Sequence, residues 1–296
     1  MNINKQIIFH AFLWKYNDIR ENLLKMKEQG FTSIQISPVQ GVKGDGNEFW
    51  EYYQPLDMGF VDNPLGNKEQ LKLLCEDANN LGIKIIADVI LRHVASDDYG
   101  NPIPHQKVNK DLFKYLKSDV PDCDDYNDRY KYTHYRTGCM PIFDFENKEY
   151  QQICINFLNE LKDIGLKGFR LDQLKHFPIE SEDSTFLKNV FEPFKNMFNY
   201  GEVIDCPTHI NDLYVPYMKV CGNGITSDQS KSVVFFDSHD IFYTWCRSKN
   251  MPKDIQIREW EWLFKRYPNS DKLYFPHPFE DTWKSEEIKR INLTYK

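Results

Sequence analysis

Three observations predict an α/β fold, a (β/α)8 TIM barrel with an inserted subdomain after the third strand. Strand-like apolar segments alternate with amphipathic helical ones, the number of such units suits a barrel of about 250 residues, and no glycine-rich phosphate loop follows the first strand. The alternative is an open doubly wound sheet, and the missing glycine-rich turn counts against its nucleotide-binding form. A chain of 296 residues has ample length for one such domain. The barrel is expected over 1–93 and 148–296 as one interrupted domain. Residues 94–147 are too polar and too long for an ordinary connection and are expected to form the inserted subdomain.

The elements follow in order. A first strand is predicted over 6–12, then a helix over about 17–29 with Asn17 as its cap and Gly30 as its stop. Residues 31–36 make the second strand. A long loop leads to Asn67, the cap of a helix whose Leu71, Leu74, Cys75, Ala78 and Leu81 share one face before Gly82. Residues 83–90 are a continuous apolar run, as a strand covered on both faces requires. Beyond the insertion, a helix over 148–164 places Ile153, Cys154, Phe157, Leu158, Leu161 and Ile164 on one side and leads into a fourth strand at 168–171. A helix near 184–198, a short strand ending at Glu202-Val203, a strand at 233–236, a helix over about 252–266, a strand near 273–275 and a helix over about 285–293 complete the pattern. Seven strands are legible. The eighth is expected between 209 and 231, within a sixth unit shortened by the small distance from Glu202 to Phe235.

Composition narrows the partners. With 41% hydrophobic and 27% charged residues the chain reads as a soluble globular protein. Lys and Arg number 37 against 44 Asp and Glu, a formal charge of −7 with no basic cluster, which excludes nucleic acid as the expected partner. No apolar run reaches membrane-spanning length and no signal-peptide pattern opens the sequence, so no membrane partner and a cytoplasmic location are expected; a processed secreted form would look the same. The seven cysteines show no zinc spacing, while Cys123 and Cys139 flank a polar loop where a disulfide is conceivable.

The segment Gly168-Phe169-Arg170-Leu171-Asp172 carries the chemistry. Residues two apart on a strand face the same way, so Arg170 stands beside Asp172 and is expected to keep that carboxylate ionised, as a nucleophile needs. A structural ion pair would have the same spacing. Further acids and imidazoles favour function: His93 follows the third strand, Glu202 ends the fifth, and His239-Asp240 follow the seventh. In barrels these ends meet at one mouth. Glycosidic cleavage needs a carboxylate nucleophile and a carboxylic acid that protonates the leaving oxygen; Asp172 and Glu202 suit these roles, Glu202 having no cation beside it in sequence.

The chain resembles the alpha-amylase family of glycoside hydrolases, family 13, over nearly its whole length. The resemblance rests on Asp88-Val89-Ile90-Leu91-Arg92-His93, the Gly168 to His176 segment, Gly201-Glu202-Val203 and Phe235-Phe236-Asp237-Ser238-His239-Asp240, in that order. Ile34-Gln35-Ile36-Ser37-Pro38, Trp50-Glu51-Tyr52-Tyr53-Gln54-Pro55 and Met140-Pro141-Ile142-Phe143-Asp144-Phe145 support it. It implies a retaining hydrolase of α-glucosidic bonds, with α-1,4-glucan or maltooligosaccharide as substrate and a covalent glycosyl intermediate on Asp172. Glu202 would be the general acid/base, and Asp240 would grip sugar hydroxyls. Arg170 would orient Asp172, His93 and His239 would bond the sugar, Tyr53 would stack on it, and Lys175 and His176 would line the leaving-group side. A transglycosylase with the same residues, or a non-catalytic carbohydrate-binding relative, is the alternative. No cofactor is needed for the chemistry. The family's structural Ca2+ would use Asp144 and the His176 carbonyl, but Arg92 stands where the family has a ligating asparagine, and pairing of Arg92 with Asp144 is expected in the ion's place. The resemblance leaves no counterpart for the family's usual C-terminal β-sandwich.

Overall fold

Inward and outward side chains alternate along eight parallel strands, and that alternation positions everything at the barrel mouth. The computed structural model describes residues 5–97, 101–278 and 280–295. In it β1 (Ile7–Ala11), β2 (Ser33–Ile36), β3 (Lys84–Val89), β4 (Gly168–Leu171), β5 (Tyr200–Glu202), β6 (Lys219–Gly222), β7 (Ser232–Val234) and β8 (Asp271–Tyr274) pair in sequence order. Strand β8 returns to β1, which closes the barrel. The predicted fold class is borne out, and the hidden eighth strand is β6, inside the interval expected for it.

Outward residues such as Phe9, Ile34, Ile36, Ala87, Val89, Phe169 and Leu171 join the large core between strands and helices. Ile8, Ile86, Tyr200, Cys221, Val233 and Leu273 form a smaller core inside the barrel. Both strand faces are therefore largely apolar, and polar residues interrupt them, among them the buried inward-facing His10, Gln35, Asp88 and Arg170. Gly168 begins β4 because a Cβ there would stand 2.0 Å from the Phe198 carbonyl oxygen.

The helices are α1 (Tyr16–Glu28), α2 (Lys68–Asn80), α3 (Arg129–His134), α4 (Lys148–Ile164), α5 (Phe186–Phe191), α6 (Thr208–Asp212), α7 (Lys253–Arg266) and α8 (Glu286–Tyr295). Asn67 caps α2 through Gln70 N–H, and the Gln70 side chain accepts from Asn67 N–H in return. Asn17 does not cap α1: the helix begins one residue earlier, after Lys15. Helix α4 buries Cys154, Phe157, Leu158 and Leu161 as its periodicity predicts, each large apolar side chain contributing about 1.5–3 kcal/mol. The helix expected over 184–198 is much shorter. Pro193 converts its second half to a 3-10 turn, Glu192–Phe194, because proline lacks the N–H that would continue an α-helix. The sixth unit is reduced: only a 3-10 turn, Gln229–Lys231, lies between β6 and β7.

Residues 101–147 run over the C-terminal ends of the strands. Val108, Leu112, Tyr115 and Phe143 from this stretch enter the same large core as the barrel. Isolated bridges His93↔Ile142 and Leu116↔Phe143 fasten the segment to the end of β3 and to itself. Cys123 and Cys139 are not joined to each other: Cys123 Sγ donates to the Asp125 carbonyl at 3.5 Å, and Cys139 Sγ to the Asp122 carboxylate at 3.4 Å. The conceivable disulfide is not formed.

Candidate active site

Arg170 is the electrostatic centre of the mouth. Strand register sets Asp88 of β3 beside it, and its Nη1 donates to both Asp88 oxygens at 2.9 Å. The same nitrogen reaches Asp172 Oδ1 at 2.8 Å, and Nη2 reaches Glu202 Oε1 at 2.6 Å. One guanidinium thus serves three carboxylates, and all four side chains are buried or nearly so. The absence of a cation beside Glu202 in sequence is corrected here, because β4 and β5 are neighbours and bring Arg170 to it. Gln173, held at φ +52° just after Asp172, donates its N–H to Glu202 Oε2 at 3.1 Å. A non-glycine residue in that conformation costs of order 1 kcal/mol, and here the turn orients a candidate acid.

The effect of Arg170 on Asp172 also needs correction. Burial pushes the Asp172 carboxyl well above its ordinary value; Arg170 opposes this, while Glu202, Asp88 and Asp240 add to it. With its charge divided among three acids, Arg170 alone does not keep Asp172 at an ordinary carboxylate value. Asp88 is pushed up to about 6 by burial, against the same guanidinium. Burial raises Asp240 as well.

Above this cluster lies an open cleft of about 220 Å3. Asp172, Glu202 and Asp240 line it together with His239 and Tyr53, and Phe49, Trp50 and Met140 supply apolar wall. Asp240 stands at the start of a π-helical turn, Asp240–Thr244, with its Oδ2 3.5 Å from His239 Nε2. His239 belongs to an aromatic cluster: its ring lies 4.5 Å from Phe12 and 5.2 Å from Tyr53, the latter parallel within 1°. Tyr53 is fixed by its hydroxyl, which donates to Asp88 Oδ2 at 3.0 Å.

The remaining predicted residues sit behind or beside the cleft. His93 is buried, and its Nε2–H donates to the Tyr53 carbonyl at 2.9 Å. Lys175 Nζ donates to the Ile204 carbonyl, and His176 Nδ1–H to the Tyr132 carbonyl of α3. Asp144 accepts the Glu146 N–H at 3.2 Å. Arg92 does not pair with Asp144. Its Nε donates to the His176 carbonyl at 3.1 Å and its Nη2 to the Tyr135 carbonyl at 2.6 Å, because the guanidinium points across the end of β4 toward α3.

Two contributors were not singled out from sequence. Asp88 occurs in a quoted motif, and the signal was an acid inside an otherwise apolar strand. Asp237, fully buried, accepts from Ser238 N–H, Ser248 hydroxyl and His277 Nε2 at 2.9, 2.8 and 2.6 Å, which anchors the turn bearing His239 and Asp240. His277 lies three residues beyond β8, at the same barrel end as the other site residues.

A family model described as the alpha amylase catalytic domain matches residues 15–203. The chain belongs to the alpha-amylase family. Among curated alpha-amylases, one from Clostridium acetobutylicum is 30% identical over 216 residues, 69% of this chain and 28% of its own length. One from Aeromonas hydrophila is 30% identical over 259 residues, 74% of this chain and 53% of its own. This alpha-amylase family chain therefore spans between about a quarter and a half of those two relatives. The alpha-amylase of Geobacillus thermoleovorans, solved in complex with acarbose, superposes with a TM-score of 0.76 at 18% identity, covering 98% of this chain and 78% of that one. That likeness bears on the fold. Among the described residues no helix is long and apolar enough to cross a membrane.

His239 and His93 of this alpha-amylase family site stay neutral at ordinary pH. Burial, with Arg170 nearby, lowers His239 to about 3, and burial lowers His93 to about 4. Both folded values lie below 6.5, so the unfolded chain binds more protons and each ring withdraws stability as pH falls from 6.5, by ~1.4 kcal/mol per pH unit. Asp88, raised from 3.8 to about 6, acts in the opposite sense between those values. His239→Gln should therefore flatten the acid side of the Tm–pH curve, beginning just below pH 6.5. Ring-nitrogen NMR should find His239 unprotonated down to about pH 4; a titration near 6.5 would contradict its burial.

Proposed function

We propose that this chain is the catalytic barrel of a retaining α-glucosidic hydrolase acting on α-1,4-glucans or maltooligosaccharides. The observation that carries the reading is the pairing of Asp172 and Glu202 on two nitrogens of one planar guanidinium at the cleft floor, with Asp240 on the same cleft wall. A fork of this kind favours two carboxyls close together, and retaining enzymes use a short spacing of roughly 5–5.5 Å. An inverting pair must leave room between its carboxyls for a water molecule.

In this mechanism Asp172 attacks the anomeric carbon while Glu202 donates its proton to the departing glycosidic oxygen. The bond to the leaving sugar breaks and a glycosyl-Asp172 ester forms. Glu202, now ionised, takes a proton from water, whose oxygen attacks the same carbon and releases Asp172. Arg170 balances whichever of the two carboxylates is charged at each stage. Neutral His239, held against Tyr53, serves as a hydrogen-bond partner for sugar hydroxyls beside Asp240. The open cleft and the exposed Trp50 suit an extended glucan, whose flat sugar faces stack on aromatic rings. A sugar hydroxyl in place of water would give transglycosylation from the same intermediate.

The test is to follow the anomeric configuration of products from maltooligosaccharides by NMR. The reading predicts products first released in the α configuration, before mutarotation. Initial β products would refute retention, and an inert wild type would leave a carbohydrate-binding barrel.

A further inference from the structure

The family resemblance implies a calcium ion between the barrel and the segment over its mouth, and the residues present do not fit one. The position that should offer an asparagine oxygen carries Arg92, a cation. The His176 carbonyl, which should face the ion, accepts Arg92 Nε–H instead. Among the described residues no group of three His, Cys, Asp or Glu side chains is arranged to hold a metal.

What stands there is unusual. Arg92 is 1% exposed, and among the described residues it has no carboxylate within ion-pair distance. A buried charge without a counter-ion is strongly unfavourable unless oriented dipoles replace the lost water. Two carbonyl dipoles meet Nε and Nη2, that of His176, from the turn after β4, and that of Tyr135, at the end of α3, while Nη1 is buried with no hydrogen-bond partner among the described residues. The Arg92 carbonyl in turn accepts the Phe143 N–H, a second tie to the same segment. Burial lowers the guanidinium only to about 10, so it remains cationic at neutral pH.

We infer that Arg92 is a built-in cation that bridges the barrel to the segment over its mouth and makes the fold independent of divalent metal. The two carbonyl partners, the missing carboxylate and the bridge between two separate parts of the chain are the properties of a structural cation site, supplied here by a side chain. A covalently attached cation cannot be removed by a chelator. The inference does not require the glycosidase reading, because each readout below is structural.

The test uses the wild-type chain and Arg92→Asn. The wild-type Tm should be the same with excess EDTA, with added calcium and with neither, and calorimetric titration should detect no calcium binding. Arg92→Asn leaves two carbonyls without their donor and a void, so its Tm should fall by roughly 5 °C or more. Limited proteolysis of that variant should cut first within residues 101–147. Arg92→Lys, which keeps the charge on a smaller donor, should melt between the two. A rise in wild-type Tm with calcium, a fall with EDTA, or an Arg92→Asn variant as stable as wild type would overturn the inference. Should Arg92→Asn fail to fold, the wild-type response to calcium and EDTA decides alone.

Discussion

Asp172→Asn should leave a folded protein whose turnover of maltooligosaccharides is lower by ~10^4-fold or more, since an amide cannot form the glycosyl ester. The loss should not be one of stability. Burial raises the Asp172 carboxyl, so ionising it inside the fold is unfavourable, and its neutral isostere should melt at or above the wild-type temperature. The pairing of lower activity with equal or higher Tm separates a catalytic acid from a structural one. Glu202→Gln should behave differently. Its deficit should be large on natural glucans, whose leaving oxygen needs a proton, and much smaller on an activated aryl maltoside whose leaving group departs as an anion. If Asp172→Asn turned over at the wild-type rate, the nucleophile would have to be sought elsewhere in the cleft.

The parts of the fold that were legible in sequence are those where local chemistry and tertiary packing agree. The α2 cap at Asn67, the apolar face of α4 and the largely apolar β3 each carry their own signal. Strand β6 lacked one: Lys219–Gly222 is only four residues long, with neither alternation nor flanking helices of ordinary length. The long helix expected after residue 184 failed because Pro193 outweighs the helical pattern around it. In the site, the strand-end rule located Asp172, Glu202, Asp240 and His239, all of which line one cleft. It did not disclose what Arg170 would meet. That depends on which strands are neighbours and in what register, and the pairing of Asp88 with Arg170 follows only from the β3–β4 register. The direction of Arg92 was illegible for the same reason, since its carbonyl partners lie more than forty residues away in sequence.

Arg170→Met should be the most damaging single change to the fold. It removes the one guanidinium bonded to Asp88, Asp172 and Glu202 and leaves three buried carboxylates facing each other. Removing one partner of a buried ion pair costs about 3–5 kcal/mol, and here the repulsion of the remaining acids adds to it. The cost should depend on pH with a definite sign. Asp88 already holds its proton up to about 6 in the presence of Arg170, and without that guanidinium Asp88 and Asp172 shift higher still. A raised carboxyl binds more protons folded than unfolded, so stability falls as pH rises through the shifted range. The gap between wild type and Arg170→Met in urea unfolding should therefore be modest near pH 5 and wide near pH 8. Arg170→Lys keeps one charge but has a single nitrogen, which cannot replace a fork whose two nitrogens reach separate acids. It should recover part of the stability at pH 8 while turnover stays low, because Asp172 and Glu202 are no longer held by one rigid plane. Equal stability of Arg170→Met and wild type at pH 8 would mean that the three carboxylates are neutralised by some other means, and the electrostatic account of the site would have to be rebuilt.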